Sequence, residues 1–166
     1  MAIEEEVYKQ VLKHKGIWNF SELYTFCFNY LKDNNYIVSE DEYTEKASDF
    51  GKEIQIKWKA KKKVTDYFHY VIEVKWHILG LNSVEAEKDG KKIKSNKGDL
   101  KMTVSATLIR DPEGKWEGTS FWQMMRGVYD KFIIKATADD YEDALADKAD
   151  GLIEDVKAFL VLEGKK

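Results

Sequence analysis

Cysteine and proline occur once each in this chain of 166 residues, histidine three times, and arginine only at Arg110 and Arg126. A single thiol, Cys27, cannot close an intramolecular disulfide or build a multi-cysteine zinc site, which excludes the small extracellular disulfide scaffold. With Pro112 alone and ten glycines there is no Pro/Gly/Ser-rich linker and no low-complexity block, so one domain over 1–166 is the expectation. No apolar run approaches the roughly 20 residues that a membrane-spanning helix needs. The first residues, MAIEEEVYKQVLKHK, are charged where a signal peptide is apolar. A cytoplasmic chain without a membrane partner is therefore expected.

What is abundant is aromatic and charged. Aromatics make up 13% of the chain and charged residues 34%, with a net charge of -3, far from the aromatic-poor composition of disorder. The charge is uneven. Between Lys52 and Lys63 six lysines meet one acid, whereas between Asp139 and Asp155 eight acids meet Lys148 alone. Such a dipole steers a partner or drives head-to-tail self-association.

Periodicity predicts an α+β fold. Ile3, Val7, Val11 and Leu12 recur at helical spacing, predicting a first helix ended by Gly16. Asn19 and Glu22 have capping-box spacing, and Leu23, Phe26, Cys27, Tyr30 and Leu31 follow as the apolar face of a second helix that stops near Asp33-Asn34-Asn35. From Lys52 the period becomes 2: Ile54, Ile56, Trp58 and Ala60 alternate with Glu53, Gln55, Lys57, Lys59 and Lys61. The row Phe68, Tyr70, Ile72, Val74, Trp76 and Ile78 repeats the device. Pairing Ala60 with Tyr70 places Trp58 on Ile72, Lys57 on Glu73 and Glu53 on His77, which matches opposite or compatible charges. Asp89-Gly90 is a type I′ hairpin signal pairing Lys88 with Lys91, Glu87 with Lys92, Ala86 with Ile93 and Glu85 with Lys94. Leu100, Met102, Val104, Ala106 and Leu108 predict another strand, closed by a turn at Asp111-Pro112-Glu113-Gly114.

Two C-terminal helices complete the prediction. Phe121, Trp122, Met125, Val128, Tyr129, Phe132 and Ile133 fall at helical spacing, and Tyr141, Leu145, Ala149, Leu152, Val156, Phe159 and Leu160 mark a helix over about 139–162. The expected architecture is thus an antiparallel meander of four to five strands with two N-terminal and two C-terminal helices covering one face. Its element order is similar to that of helix-grip domains, in which a curved sheet wraps the last helix around a hydrophobic cavity. That likeness is topological and assigns no residue a role.

No catalytic, cofactor or metal motif emerges. His69 and His77 share a strand face but stand roughly 26 Å apart in an extended chain, too far to serve one ion. The acidic run fails as an EF-hand, because Gly151 at loop position six places Ala146, Lys148 and Lys157 where oxygen ligands are required. Asp140, Asp143, Asp147, Asp150 and Glu154 read instead as a solvated helix face.

Three functional readings follow. The first is a non-enzymatic binding domain that holds a hydrophobic small molecule, a protein partner or a second copy between its sheet and the aromatic 116–133 segment, at Trp116, Phe121, Trp122, Met124 and Met125. The second is a nucleic-acid-binding protein that uses Lys57, Lys59, Lys61 and Lys75, joined by Lys101, to neutralise phosphates. Scarce arginine argues against base-specific readout there, and alternation projects only Tyr67 among the aromatics onto that face. The third is an enzyme in which Glu73, His69 or His77 meets a further residue in a cleft.

Overall fold

The computed structural model describes residues 3–110, Met124 and residues 135–164. In chain order the elements are β1 (Ile3–Trp18), α1 (Phe20–Asp33), β2 (Ile37–Ser48), β3 (Gly51–Lys63), β4 (Phe68–Lys88), β5 (Lys91–Arg110) and α2 (Lys135–Gly164). The strands form one antiparallel sheet in the order β1-β5-β4-β3-β2, so the first two strands are its edges and α1 carries the chain from one edge to the other.

Side-chain alternation decides which face is covered. Ile54, Ile56, Trp58 and Ala60 of β3, the even row from Phe68 to Ile78 of β4, and the even row from Leu100 to Leu108 of β5 are all buried. They meet Leu23, Cys27 and Leu31 of α1 and Leu145, Ala149, Leu152, Val156 and Leu160 of α2 in one core. Each fully buried large side chain contributes roughly 1.5–3 kcal/mol. The odd rows point away from both helices.

Local signals fix α1 and the main hairpin. The Asn19 side chain accepts from the Glu22 amide at 2.9 Å. Across the sheet the Asn96 side chain accepts from the Phe20 amide at 3.1 Å. At the other end Asn35 takes φ 69°, and the Tyr36 and Asn35 amides donate to the Leu31 and Lys32 carbonyls, the paired bonds of a Schellman ending. Asp89 and Gly90 adopt φ 53° and 77°, and all four anticipated pairs around them form.

The expected cover of four helices, and the helix-grip description built on it, is overturned: the described residues form two helices over a five-stranded sheet. The segment expected as the first helix is β1, paired with β5 along its whole length. A bulge between Glu6 and Tyr8 places Val7 out of alternation, and that extra residue mimics a helical spacing. The Glu- and Lys-rich composition is that of a protected edge strand as much as of a helix. Pairing with β5, an ion pair from Arg110 to Glu5 and a Tyr8 hydroxyl bond to Asp150 hold it as a strand. The second edge, β2, has no counterpart in the sequence reading, because every residue but Val38 is exposed and no alternation develops. Apart from Met124, which is helical, the helix expected from Phe121 to Ile133 lies outside the described residues, as does the turn at 111–114.

The β3–β4 register also differs. Ala60 pairs with Ile72, Trp58 with Val74, Lys59 with Glu73 and Lys57 with Lys75. The connecting loop is longer than alternation suggests, and it is closed by the Thr65 hydroxyl, which accepts from the Tyr67 and Phe68 amides at 3.2 and 3.0 Å, and by the Val64 and Thr65 amides, which donate to the Phe68 carbonyl. A two-residue shift keeps every side chain on its face and changes every partner.

Four glycines crease the sheet. Gly16 is opposite Gly98, Gly98 lies against Leu79 and Leu81, and Gly80 lies against Gly51, a line across β1, β5, β4 and β3. A methyl group on Gly51, at φ 121°, would fall 2.7 Å from the Gly80 carbonyl carbon, so the strands approach this closely only without a side chain. Asn82 fastens the fold, its Nδ2 donating to the Phe50 and Gly80 carbonyls at 3.1 and 3.3 Å. Beyond the crease β4 and β5 continue to the Asp89-Gly90 turn.

Candidate functional site

The face turned away from the helices is a lattice of odd-numbered side chains from β1, β5, β4 and β3 and, past the bulge between Glu40 and Glu42, even-numbered ones from β2. In one row Val11, Thr103, Lys75, Lys57 and Glu42 stand side by side on β1, β5, β4, β3 and β2; the next row reads Lys13, Lys101, His77, Gln55 and Thr44. The ladder therefore sets Lys57 directly opposite Lys75 and Lys13 directly opposite Lys101. Between these rows is a depression of 380 Å³, lined by Lys57, Lys75, Lys101, His77, Thr103 and Glu42 among others.

Like charges directly opposite across a ladder are destabilising. In water the cost is on the order of 1 kcal/mol or less per pair, and salt reduces it further. Among the described residues, none of Lys13, Lys57, Lys75 and Lys101 forms an ion pair, although Glu42 stands directly opposite Lys57. Other lysines are paired: Lys52 holds Glu45 at 2.8 Å and Lys63 holds Asp66 at 2.9 Å. His77 turns its Nε2 to Glu53 at 3.1 Å, and this bond with that from Gln55 holds the Glu53 carboxyl below its usual value.

Of the lysines named from sequence, the structure brings Lys57 and Lys75 together. Lys59 is one row further, opposite Glu73, and Lys61 further still, between Val71 and Ile37. Lys13 and Lys9 join the face only because 3–18 is a strand, a placement hidden while that segment reads as a helix. Tyr67, expected on this face, is buried edge-on against Phe68. Phe50 escapes the sequence reading altogether; it is 85% exposed in the β2–β3 turn, beside the crease.

On the covered face the volume under α1 is occupied by rings. Trp58 packs edge-on against Trp76 at 5.4 Å and against Tyr24 at 4.9 Å. Glu40 accepts from the Tyr24 hydroxyl at 2.7 Å and from the Trp58 indole at 3.2 Å. Burial and this carboxylate push the Tyr24 hydroxyl up to about 12. Cys27 is fully enclosed, and burial drives its thiol far above the usual value, so it is held as the thiol and not as a nucleophilic thiolate.

The other sequence candidates do not converge. Glu73, His69 and His77 are strung along β4 on the outer face, each four residues or roughly 13 Å from the next. Among the described residues no group of three His, Cys, Asp or Glu side chains gathers. Asp140, Asp143, Asp147, Asp150 and Glu154 are exposed on α2. Trp116, Phe121, Trp122 and Met125 lie outside the described residues; Met124 is helical and 61% exposed. No described helix is long and apolar enough to cross a membrane. Comparison with family models, curated proteins and solved structures yields no match for the chain.

Proposed function

We propose that this chain is a binding domain that receives the sugar-phosphate backbone of a nucleic acid on the uncovered face of its sheet. The apposition of Lys57 with Lys75 and of Lys13 with Lys101, none of them in an ion pair among the described residues although Glu42 faces Lys57 from β2, carries the reading. A polyanion relieves that repulsion, and release of its counterions supplies the driving force. The net charge of -3 does not oppose this, because charges on the helix side lie behind the sheet and salt screens beyond about 8 Å. Lysine is a flexible point charge and lacks the planar fork of arginine, so the face favours phosphates over base edges.

Fluorescence anisotropy with a labelled oligonucleotide, titrated between about 50 and 200 mM salt, tests the reading. Affinity falls steeply with salt, and Lys57→Glu combined with Lys75→Glu removes most of it. Absence of binding at the lowest salt, or a double variant that binds as wild type, ends the proposal.

A second reading keeps the aromatic 116–133 segment as the place where a hydrophobic ligand or a protein partner is held, supported by the exposure of Met124. Light scattering after size exclusion, followed by native mass spectrometry, tests it. A strict monomer without a co-purifying ligand leaves it unsupported.

A further inference from the structure

Continuous with the lysine face, a cleft of 650 Å³ opens at the glycine crease, lined by Lys15, Gly16, Phe50, Leu79, Lys97 and Gly98 among others. Its chemistry differs from that of the lysine rows. Gly16, Gly80 and Gly98 contribute backbone without side chains to its lining. Phe50, the most exposed large apolar side chain among the described residues, and half-exposed Leu79 supply apolar surface. Lys97 and Lys15 supply charge, Lys15 with Asp99 only at 3.9 Å. Lys15 follows Lys13 on the same face of β1, roughly 7 Å further along.

We infer that this cleft takes an unpaired nucleobase, stacked on the Phe50 ring, from the strand whose phosphates run over the lysine rows. The inference rests on the nucleic-acid reading above and adds a preference to it. Lysines alone neutralise single-stranded and duplex backbones alike, whereas only a single strand presents the π-face of a base to an aromatic ring. Stacking tolerates every base, so the cleft confers selectivity for strandedness and little for sequence.

The test compares an oligouridine of about 15 nucleotides with an RNA duplex of the same length, by anisotropy at fixed salt. Phe50→Ala weakens single-strand binding about tenfold, and leaves duplex affinity and the salt slope of both unchanged. Phe50→Tyr retains single-strand affinity. The ring is outside the core, so a thermal melt matching wild type shows that Phe50→Ala is folded. Equal loss for both nucleic acids, or none for either, overturns the inference. A wild-type dimer that Phe50→Ala dissolves, with single-strand affinity unchanged, also overturns it and assigns the cleft to a second copy. The two proposals fail separately: if lysine substitutions abolish binding and Phe50→Ala does not, the cleft alone loses its role, whereas wild type that binds neither nucleic acid removes both.

Discussion

The two faces of β3, β4 and β5 are built from alternate residues of the same strands and obey different physics. On the covered side Ile54, Ile56, Trp58, Val74, Trp76 and Met102 are packed against helices, and each position is fixed by volume. On the uncovered side Lys57, Lys75 and Lys101 are set by the same ladder, yet nothing in the fold requires their charge, and their arrangement costs stability. One set of residues stabilises the sheet while the other tolerates repulsion. A face that carries two like-charge appositions, with Glu42 opposite Lys57 as the partial offset to one of them, is a candidate for an external partner.

Four experiments put this contrast to the test. The largest effect belongs to the covered face: Trp58→Ala removes a ring that is 1% exposed and touches Tyr24, Phe28 and Trp76, and should lower unfolding free energy by about 3–5 kcal/mol in urea denaturation. Next is the crease that both faces share. Gly51→Ala introduces a methyl group where the backbone is at φ 121° and Gly80 is already in contact, with an expected loss of about 1–3 kcal/mol by the same assay.

The uncovered face should respond with opposite sign. Lys75→Glu converts the Lys57–Lys75 apposition into an opposite-charge pair, which stabilises by about 0.2–1 kcal/mol while lowering oligonucleotide affinity. A variant that is both less stable and weaker in binding would show that the lysines serve the fold.

The smallest effect concerns His14, on the covered side of β1, whose Nε2 is buried without a partner and whose pKa burial lowers below the ordinary 6.5. The unfolded chain takes up this proton first as pH falls. The contribution of His14 to stability is therefore present above about pH 6.5 and is lost as pH drops towards the depressed value. Melting temperatures followed from pH 8 to 5 should fall less steeply for His14→Leu than for wild type.

Legibility in the sequence tracked burial. The even rows of β3, β4 and β5, the Asn19 cap and the Asp89-Gly90 hairpin were readable because each rests on neighbours in the chain: alternation against a core, a side chain reaching three residues on, two positive φ angles in a row. The edges were not. β1 carries a bulge at Val7 and buries Leu12 and Trp18 among exposed residues, and β2 buries nothing, so neither displays the period that identifies a strand. The site suffered likewise. Lys57 and Lys75 were nameable from parity, whereas Lys13 needed β1 to be a strand and Phe50 needed the crease to give its exposure a neighbour.

Which side chains of the central strands turn toward the core is written in the residue order, because alternation is a property of each strand alone. Which lysine faces which emerges only when the strands pair. Partnership depends on where a loop closes, and the loop stapled by the Thr65 hydroxyl closes two residues later than alternation suggests, turning an expected attraction between Lys57 and Glu73 into a repulsion between Lys57 and Lys75. The crease belongs to the same class: its glycines are scattered from Gly16 to Gly98, and only lateral pairing of four strands brings them into line.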